Sequence, residues 1–173
     1  LTLPTRISEW KGVDSFIDLI LNLNNNDFHG LVVGPTSKTK EKYLIKLLNK
    51  VSNLNIEDKI TFTGSRNDIA NIYKLSDVVF NLSIKPEPFG RTTIEAIGCG
   101  AKVIGWNHGG TKEILQKLYH DGLVPLNNIK ELKQTVLKVS KSDYPYPDEN
   151  IYTSKKMIQA TLSLYHQLLS NDL

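Results

Sequence analysis

The stretch Glu87 to Gly100, EPFGRTTIEAIGCG, places the residue types that can do chemistry where they can act together. An acidic residue, a proline and a glycine stand just ahead of a helical run. The backbone N–H groups of Gly90, Arg91 and Thr92 open the first turn of that helix, where no intrahelical carbonyl reaches them. Such an end carries about half a positive charge and is a ready site for phosphate or another anion. Glu95 falls one turn into the same helix, and its carboxylate can accept two hydrogen bonds from a diol. Glu87, in the loop ahead, approaches the same cleft from the other side. An anion site flanked by two polyol acceptors suits a sugar nucleotide. Plainer readings also fit. Glu95 lies four residues after Arg91, the spacing of a helix-surface ion pair, which is worth about 0.3–0.5 kcal/mol. Glu87 can be a solvated loop charge. Ala96, Gly98, Cys99 and Gly100 read as small residues that let the helix press on a sheet, not as reactive groups.

Those residues need a scaffold, and short apolar runs alternating with amphipathic stretches describe one. Strands are expected at Leu1 to Leu3, Leu31 to Val33, Ile60 to Thr63, Val78 to Phe80, Val103–Ile104 and Leu123–Val124. Helical spacing marks 13–23, Tyr43 to Val51, Ile69 to Leu75, Arg91 to Gly98, a helix beginning near Thr111, and stretches near 129–140 and 150–169. Gly109–Gly110 reads as a loop into the Thr111 helix. The Asn22 to Asn26 patch reads as a helix end and turn. Asn81-Leu82-Ser83 matches a glycosylation acceptor but ends an apolar run, so it reads as part of a strand. Short strands with helical crossovers predict an α/β fold: a doubly wound, parallel six-stranded sheet of Rossmann-like type. Ligands of such sheets lie beyond the carboxyl ends of the strands. Arg6, Lys11, Gly34, Arg66, Glu87 to Thr92 and His108 to Gly110 all follow strands.

Composition bounds what these residues can serve. At 173 residues, one core can form that buries about 70% of the unfolded surface. A single domain over 1–173 is expected. The net charge of +3 is too small to point to a nucleic-acid partner, and the 18 lysines form no long basic run. The one cysteine, Cys99, excludes an internal disulfide framework and fits a reducing compartment. No apolar stretch approaches the ~18 residues of a membrane span, so the cytoplasm is the default location. The only arginines are Arg6, Arg66 and Arg91. A chain so biased toward lysine keeps arginine where a forked donor is needed, although with three residues chance is a fair rival.

Residues 87–100 resemble the signature of retaining GT-B glycosyltransferases of family 4, in which two glutamates are separated by seven residues. The likeness runs along nearly the whole chain. TRISEWKG (Thr5 to Gly12) is similar to the family's Arg…Lys-Gly segment after the first strand. LVVG, ITFTGSRNDI and SDVVFNLS are similar to its next three strands with their turns. His108-Gly109-Gly110 followed by Glu113 is like its Gly-Gly-x-x-Glu element. The spacing of the glutamates is weak by itself, whereas all these elements in order are specific. The resemblance implies that Arg6 and Lys11 contact the donor diphosphate, that Glu95 holds the ribose and that Glu87 holds the transferred sugar. Phe89, Gly90, Arg91 and Thr92 would offer backbone N–H groups to sugar and phosphate. Gly34, Arg66, His108 and Gly109 would line the donor site. The turn at Gly34 lacks the second glycine many members show. Arg66 falls where relatives meet the base but equally fits a turn surface, and Glu113 fits a helix-start charge.

The resemblance further implies a UDP-, GDP- or ADP-sugar as substrate and no cofactor or metal. No Asp-x-Asp occurs to hold a divalent cation. It implies a glycan or glycolipid acceptor, as in polysaccharide or lipopolysaccharide synthesis, held by an N-terminal domain expected to be missing here. The isolated domain would then be inactive, and the full-length enzyme would associate peripherally with the inner face of the membrane. Two rivals stand beside this reading. A dehydrogenase or nucleotide-sugar-modifying enzyme on such a sheet wants G-x-G-x-x-G after the first strand, where TRISEWKG stands instead. The other is a non-catalytic receiver-like or nucleotide-sensing module: a receiver wants clustered acids at strand ends, where Arg6, Lys11 and Arg66 stand, whereas a sensor is separated by tight nucleotide binding without turnover when a second domain is supplied.

Overall fold

The computed structural model describes residues 1–23, 27–142 and 151–171. Asn24 to Asn26 of the asparagine patch, and position 150 of the last expected helix, lie outside them. The elements are β1 (Thr2–Pro4), α1 (Val13–Leu23), β2 (Gly30–Val33), α2 (Glu41–Asn53), β3 (Ile60–Gly64), α3 (Ile69–Leu75), β4 (Val78–Asn81), α4 (Arg91–Gly98), β5 (Lys102–Trp106), α5 (Gly109–Leu118), β6 (Leu123–Val124), α6 (Ile129–Lys141) and α7 (Ser154–Asn171). The six strands form one parallel sheet in the order β3-β2-β1-β4-β5-β6. From β1 the chain winds outward to β3, crosses back to β4 and winds outward the other way. The direction reverses between β1 and β4, so the loops leaving these two strands diverge and open a crevice.

Burial on both faces explains the apolar strands. Leu3, Val32, Phe80, Val103 and Ile104 are almost fully buried, and Trp106 is the largest side chain inside. Helix α1 turns Phe16, Ile17 and Ile20 inward, and the Phe16 ring meets Phe80 at 5.3 Å. Helix α6 begins at Asn128, whose side chain accepts from the Glu131 amide at 3.0 Å and caps one free donor. Helix α7 is exposed wherever its side chains are described. Among the described residues no helix is long and apolar enough to cross a membrane.

One boundary differs from expectation in a way that matters. Gly109 and Gly110 are the first residues of α5, with His108 as its cap, not a loop ahead of Thr111. A glycine pair has too little helix propensity to be read as a helix start, and tertiary contacts described below override it. The Asn81-Leu82-Ser83 triplet ends β4 and continues, buried, into the next loop.

Candidate functional site

The site is assembled where three loops meet: β1–α1, β4–α4 and the start of α5. The first approach depends on Gly12. Its φ is +79°, and a Cβ there would lie 2.0 Å from the Leu82 carbonyl oxygen. Only glycine therefore lets the β1–α1 loop reach the exit of β4. The Ile84 amide completes the join by donating to the Trp10 carbonyl at 2.7 Å. Lys11 is thereby delivered to the β4–α4 loop.

That loop is fastened along its length. The Trp106 indole donates to the Leu82 carbonyl at 3.0 Å, and His108 Nε2 donates to the Ser83 carbonyl at 2.7 Å. The Gly110 amide donates to the Glu87 carbonyl at 2.8 Å. A Cβ on Gly110 would fall 2.2 Å from the Phe89 oxygen, and one on Gly109 2.8 Å from the Glu87 nitrogen. The two glycines thus seat the start of α5 directly on the backbone of residues 87–89, which is why the helix begins where it does. The Phe89 ring is packed edge-on by Tyr152, with centroids 5.7 Å apart. Gly90 caps α4 in the left-handed conformation, φ 92°.

A cavity of about 390 Å³ lies in the β1/β4 crevice, walled by Arg6, Lys11, Ser83, Glu87, Arg91, Thr92 and Glu95 above the ends of the two strands. At one end Lys11 Nζ bonds Glu87 Oε1, and the Ser83 hydroxyl donates to the same oxygen at 2.5 Å. Burial works to raise the Glu87 pKa. The hydrogen bonds from Lys11 and Ser83, with the charges of Lys11 and Arg6, outweigh it and hold the carboxyl below its usual range. Lys11 also lies over the Trp10 ring, 4.2 Å from its centroid. Arg6 forms no ion pair among the described residues. At the other end Glu95 pairs with Arg91 at 3.2 Å, 42% of its side chain exposed. Burial, and next the Glu95 charge, push the Tyr73 phenol above its ordinary range, so the buried Tyr73 stays protonated beside that carboxylate. Asn81 donates to Thr93 Oγ1 at 3.2 Å and ties the first turn of α4 to β4.

The structure therefore brings Arg6, Lys11, Glu87, Arg91, Thr92 and Glu95 into one wall. Phe89, Gly90, His108 and Gly109 shape that wall from behind or beside it. Gly34 packs against the Thr5 carbonyl, where a Cβ would lie at 1.9 Å, and so supports the Arg6 backbone. Arg66 stays apart, exposed and paired with Asp68 at 2.8 Å. The roles of Ser83, Gly12, Trp106 and Tyr73 at the site are not among those the sequence suggests. Only Gly12, adjacent to Lys11 in a turn, carried a local signal. The other three act through partners distant along the chain or through burial.

The chain is similar to known proteins over most of its length. The family model described as glycosyl transferases group 1 matches residues 2–157. N-acetyl-alpha-D-glucosaminyl L-malate synthase of Bacillus anthracis is 27% identical over 73% of this chain and 35% of its own. Mannosylfructose-phosphate synthase of Agrobacterium fabrum is 29% identical over 85% of this chain and 32% of its own. HepE of Anabaena, solved in complex with UDP and glucose, superposes with a TM-score of 0.75 at 26% identity, covering 82% of this chain and 39% of that one. The chain spans about a third of the length of these two curated relatives.

Proposed function

The chain belongs to the glycosyl transferases group 1 family, and from that premise we propose that it is the donor-binding domain of a retaining glycosyltransferase. The observation that carries the reading is the polarity of the β1/β4 cavity. Three cations, Arg6, Lys11 and Arg91, line it together with two carboxylates, Glu87 and Glu95, and the N-terminus of α4 opens onto it. A diphosphate carries about two negative charges, and each charge-assisted hydrogen bond to it contributes ~1.5–3 kcal/mol. Glu95, on the helix, takes the ribose hydroxyls, and Glu87 takes hydroxyls of the transferred sugar. As the anomeric C–O bond breaks, its electron pair passes to the departing diphosphate. Arg6, Lys11 and the first amides of α4 stabilise that charge without reorganising. The acceptor, a glycan or glycolipid, approaches from the open side of the cavity.

UDP is the first nucleotide to test, because the similar HepE holds it. Thermal unfolding with UDP, GDP and ADP is the direct experiment. A bound ligand at 100 times its Kd adds ~2.7 kcal/mol, a midpoint rise of roughly 5–10 °C for a domain of this size. At least one diphosphate should give it. If none of the three moves the midpoint, the crevice is not a nucleotide site.

A further inference from the structure

The two carboxylate oxygens of Glu87 are unequally supplied with donors. Lys11 Nζ and the Ser83 hydroxyl both bond Oε1, whereas Oε2 accepts no hydrogen bond from the described residues. The carboxylate, on a residue that lines the cavity, is thus fixed by one oxygen while the other is left open to a ligand. The two donors are not equivalent. Lys11 lines the same cavity as Arg6, has a long flexible stem, and is drawn toward any dianion that enters. Ser83 cannot follow. It is 4% exposed, its carbonyl is held by His108 and the residue before it by Trp106, and its hydroxyl is four residues from the carboxylate it serves.

We propose that Ser83 is a positioning residue. Its hydroxyl holds Glu87 Oε1 when Lys11 turns to the diphosphate, so that Oε2 stays aimed at the sugar. This rests on the reading of the cavity as a donor site. It adds a division of labour: Lys11 serves the charged half of the donor, and Ser83 keeps the neutral half's receptor in place. Without Ser83, a Lys11 engaged by phosphate would leave Glu87 free to rotate, and the two halves of the donor would compete for one lysine.

Calorimetry on the parent chain, Ser83→Ala, Glu87→Gln and the double variant decides it, with UDP, UDP-glucose and UDP-N-acetylglucosamine as probes. The quantity read is the gain in affinity from UDP to the better sugar nucleotide. The alanine variant keeps the Ser83 carbonyl, and with it the His108 bond, so only the hydroxyl is lost. Ser83→Ala should leave UDP binding within about twofold and reduce the sugar-dependent gain by about tenfold or more, as loss of a hydrogen bond to a charged group does. Glu87→Gln should reduce the same gain, and the double variant should lose no more than Glu87→Gln alone. Should Ser83→Ala keep the parent's gain while Glu87→Gln loses it, the positioning role is overturned and the donor-site reading stands. Equal weakening of UDP and sugar nucleotide by Ser83→Ala makes the residue merely structural and also overturns it. If Glu87→Gln keeps the gain, or the parent shows none with either sugar, the assignment of Glu87 itself falls.

Discussion

Lys11 and Arg6 stand on the same loop but are in different states before any ligand arrives. Lys11 is spent on Glu87, whereas Arg6 has no ion pair among the described residues. Arg6→Ala should therefore report on the diphosphate alone, weakening UDP by ~1.5–3 kcal/mol and UMP by less. Unchanged UDP binding in titration calorimetry would make Arg6 a surface residue. The glutamates should separate in the same assay. Glu95→Gln should weaken UDP itself, and a 2′-deoxyribose analogue should already bind the parent poorly. Glu87→Gln should spare UDP and remove the contribution of the sugar, and the reverse pattern would mean that the two carboxylates are exchanged. Glu87 also predicts a pH dependence. Its folded pKa is held below the ordinary carboxylate value near 4.5, so the unfolded chain takes up this proton first as the pH falls. The stability it contributes is complete above about pH 4.5 and is lost as the pH drops through the folded pKa. The difference in melting temperature between the parent and Glu87→Gln should thus shrink on acidification below pH 4.5. A difference that widens instead would give the carboxylate the opposite shift.

The elements were largely legible because each strand is a short apolar run closed by a turn residue and each helix keeps its own period. Every expected strand is present within two residues at each end, and Arg6, Lys11, Glu87 and Glu95 do follow strands into one crevice. What the pattern missed lies between elements. Ser83 reads as the end of a strand or the start of the loop to Gly90, and nothing near it says that its hydroxyl faces a carboxylate. Trp106 and Leu82 meet across 24 positions, and Arg66 found a partner in Asp68 that spacing alone does not select. Gly109 and Gly110 read as a loop in sequence because their reason for opening a helix is the backbone of residues 87–89, a contact no propensity records. That reason is testable. Gly110→Ala places a Cβ against the Phe89 oxygen, so it must push the β4–α4 loop away from α5. A loss of about 1–3 kcal/mol in denaturant unfolding is expected, together with weaker binding of UDP-glucose than of UDP relative to the parent. Normal stability in Gly110→Ala would mean that α5 is not seated on the loop.

At the scale of the molecule the sheet does one thing for function: it reverses direction between β1 and β4, so that a cationic loop and a helix N-terminus open onto a common crevice. On the proposed reading, the positive charge that meets a dianion there comes from Arg6, Lys11, Arg91 and the first turn of α4. We therefore expect UDP affinity to survive EDTA. An affinity that collapses on chelation and returns with magnesium or manganese would show a cation sharing the phosphate. On the proposed reading, the same arrangement is expected to limit what these residues do by themselves. All the donor contacts assigned above come from the β1–α1 loop, the β4–α4 loop and α4, while the curated relatives are roughly three times as long as the stretch that matches. Transfer needs an acceptor hydroxyl held within about 3–3.5 Å of the anomeric carbon, and that orientation supplies a large share of any rate. If these residues hold only the donor, as proposed, the acceptor is left to diffusion. The 173-residue chain should accordingly bind UDP and a UDP-sugar in calorimetry yet move no labelled sugar to a glycan or glycolipid acceptor under the same conditions. Measured transfer by this chain alone would place the acceptor-holding groups within the residues described here, and the division of the enzyme into a donor half and an acceptor half would be wrong.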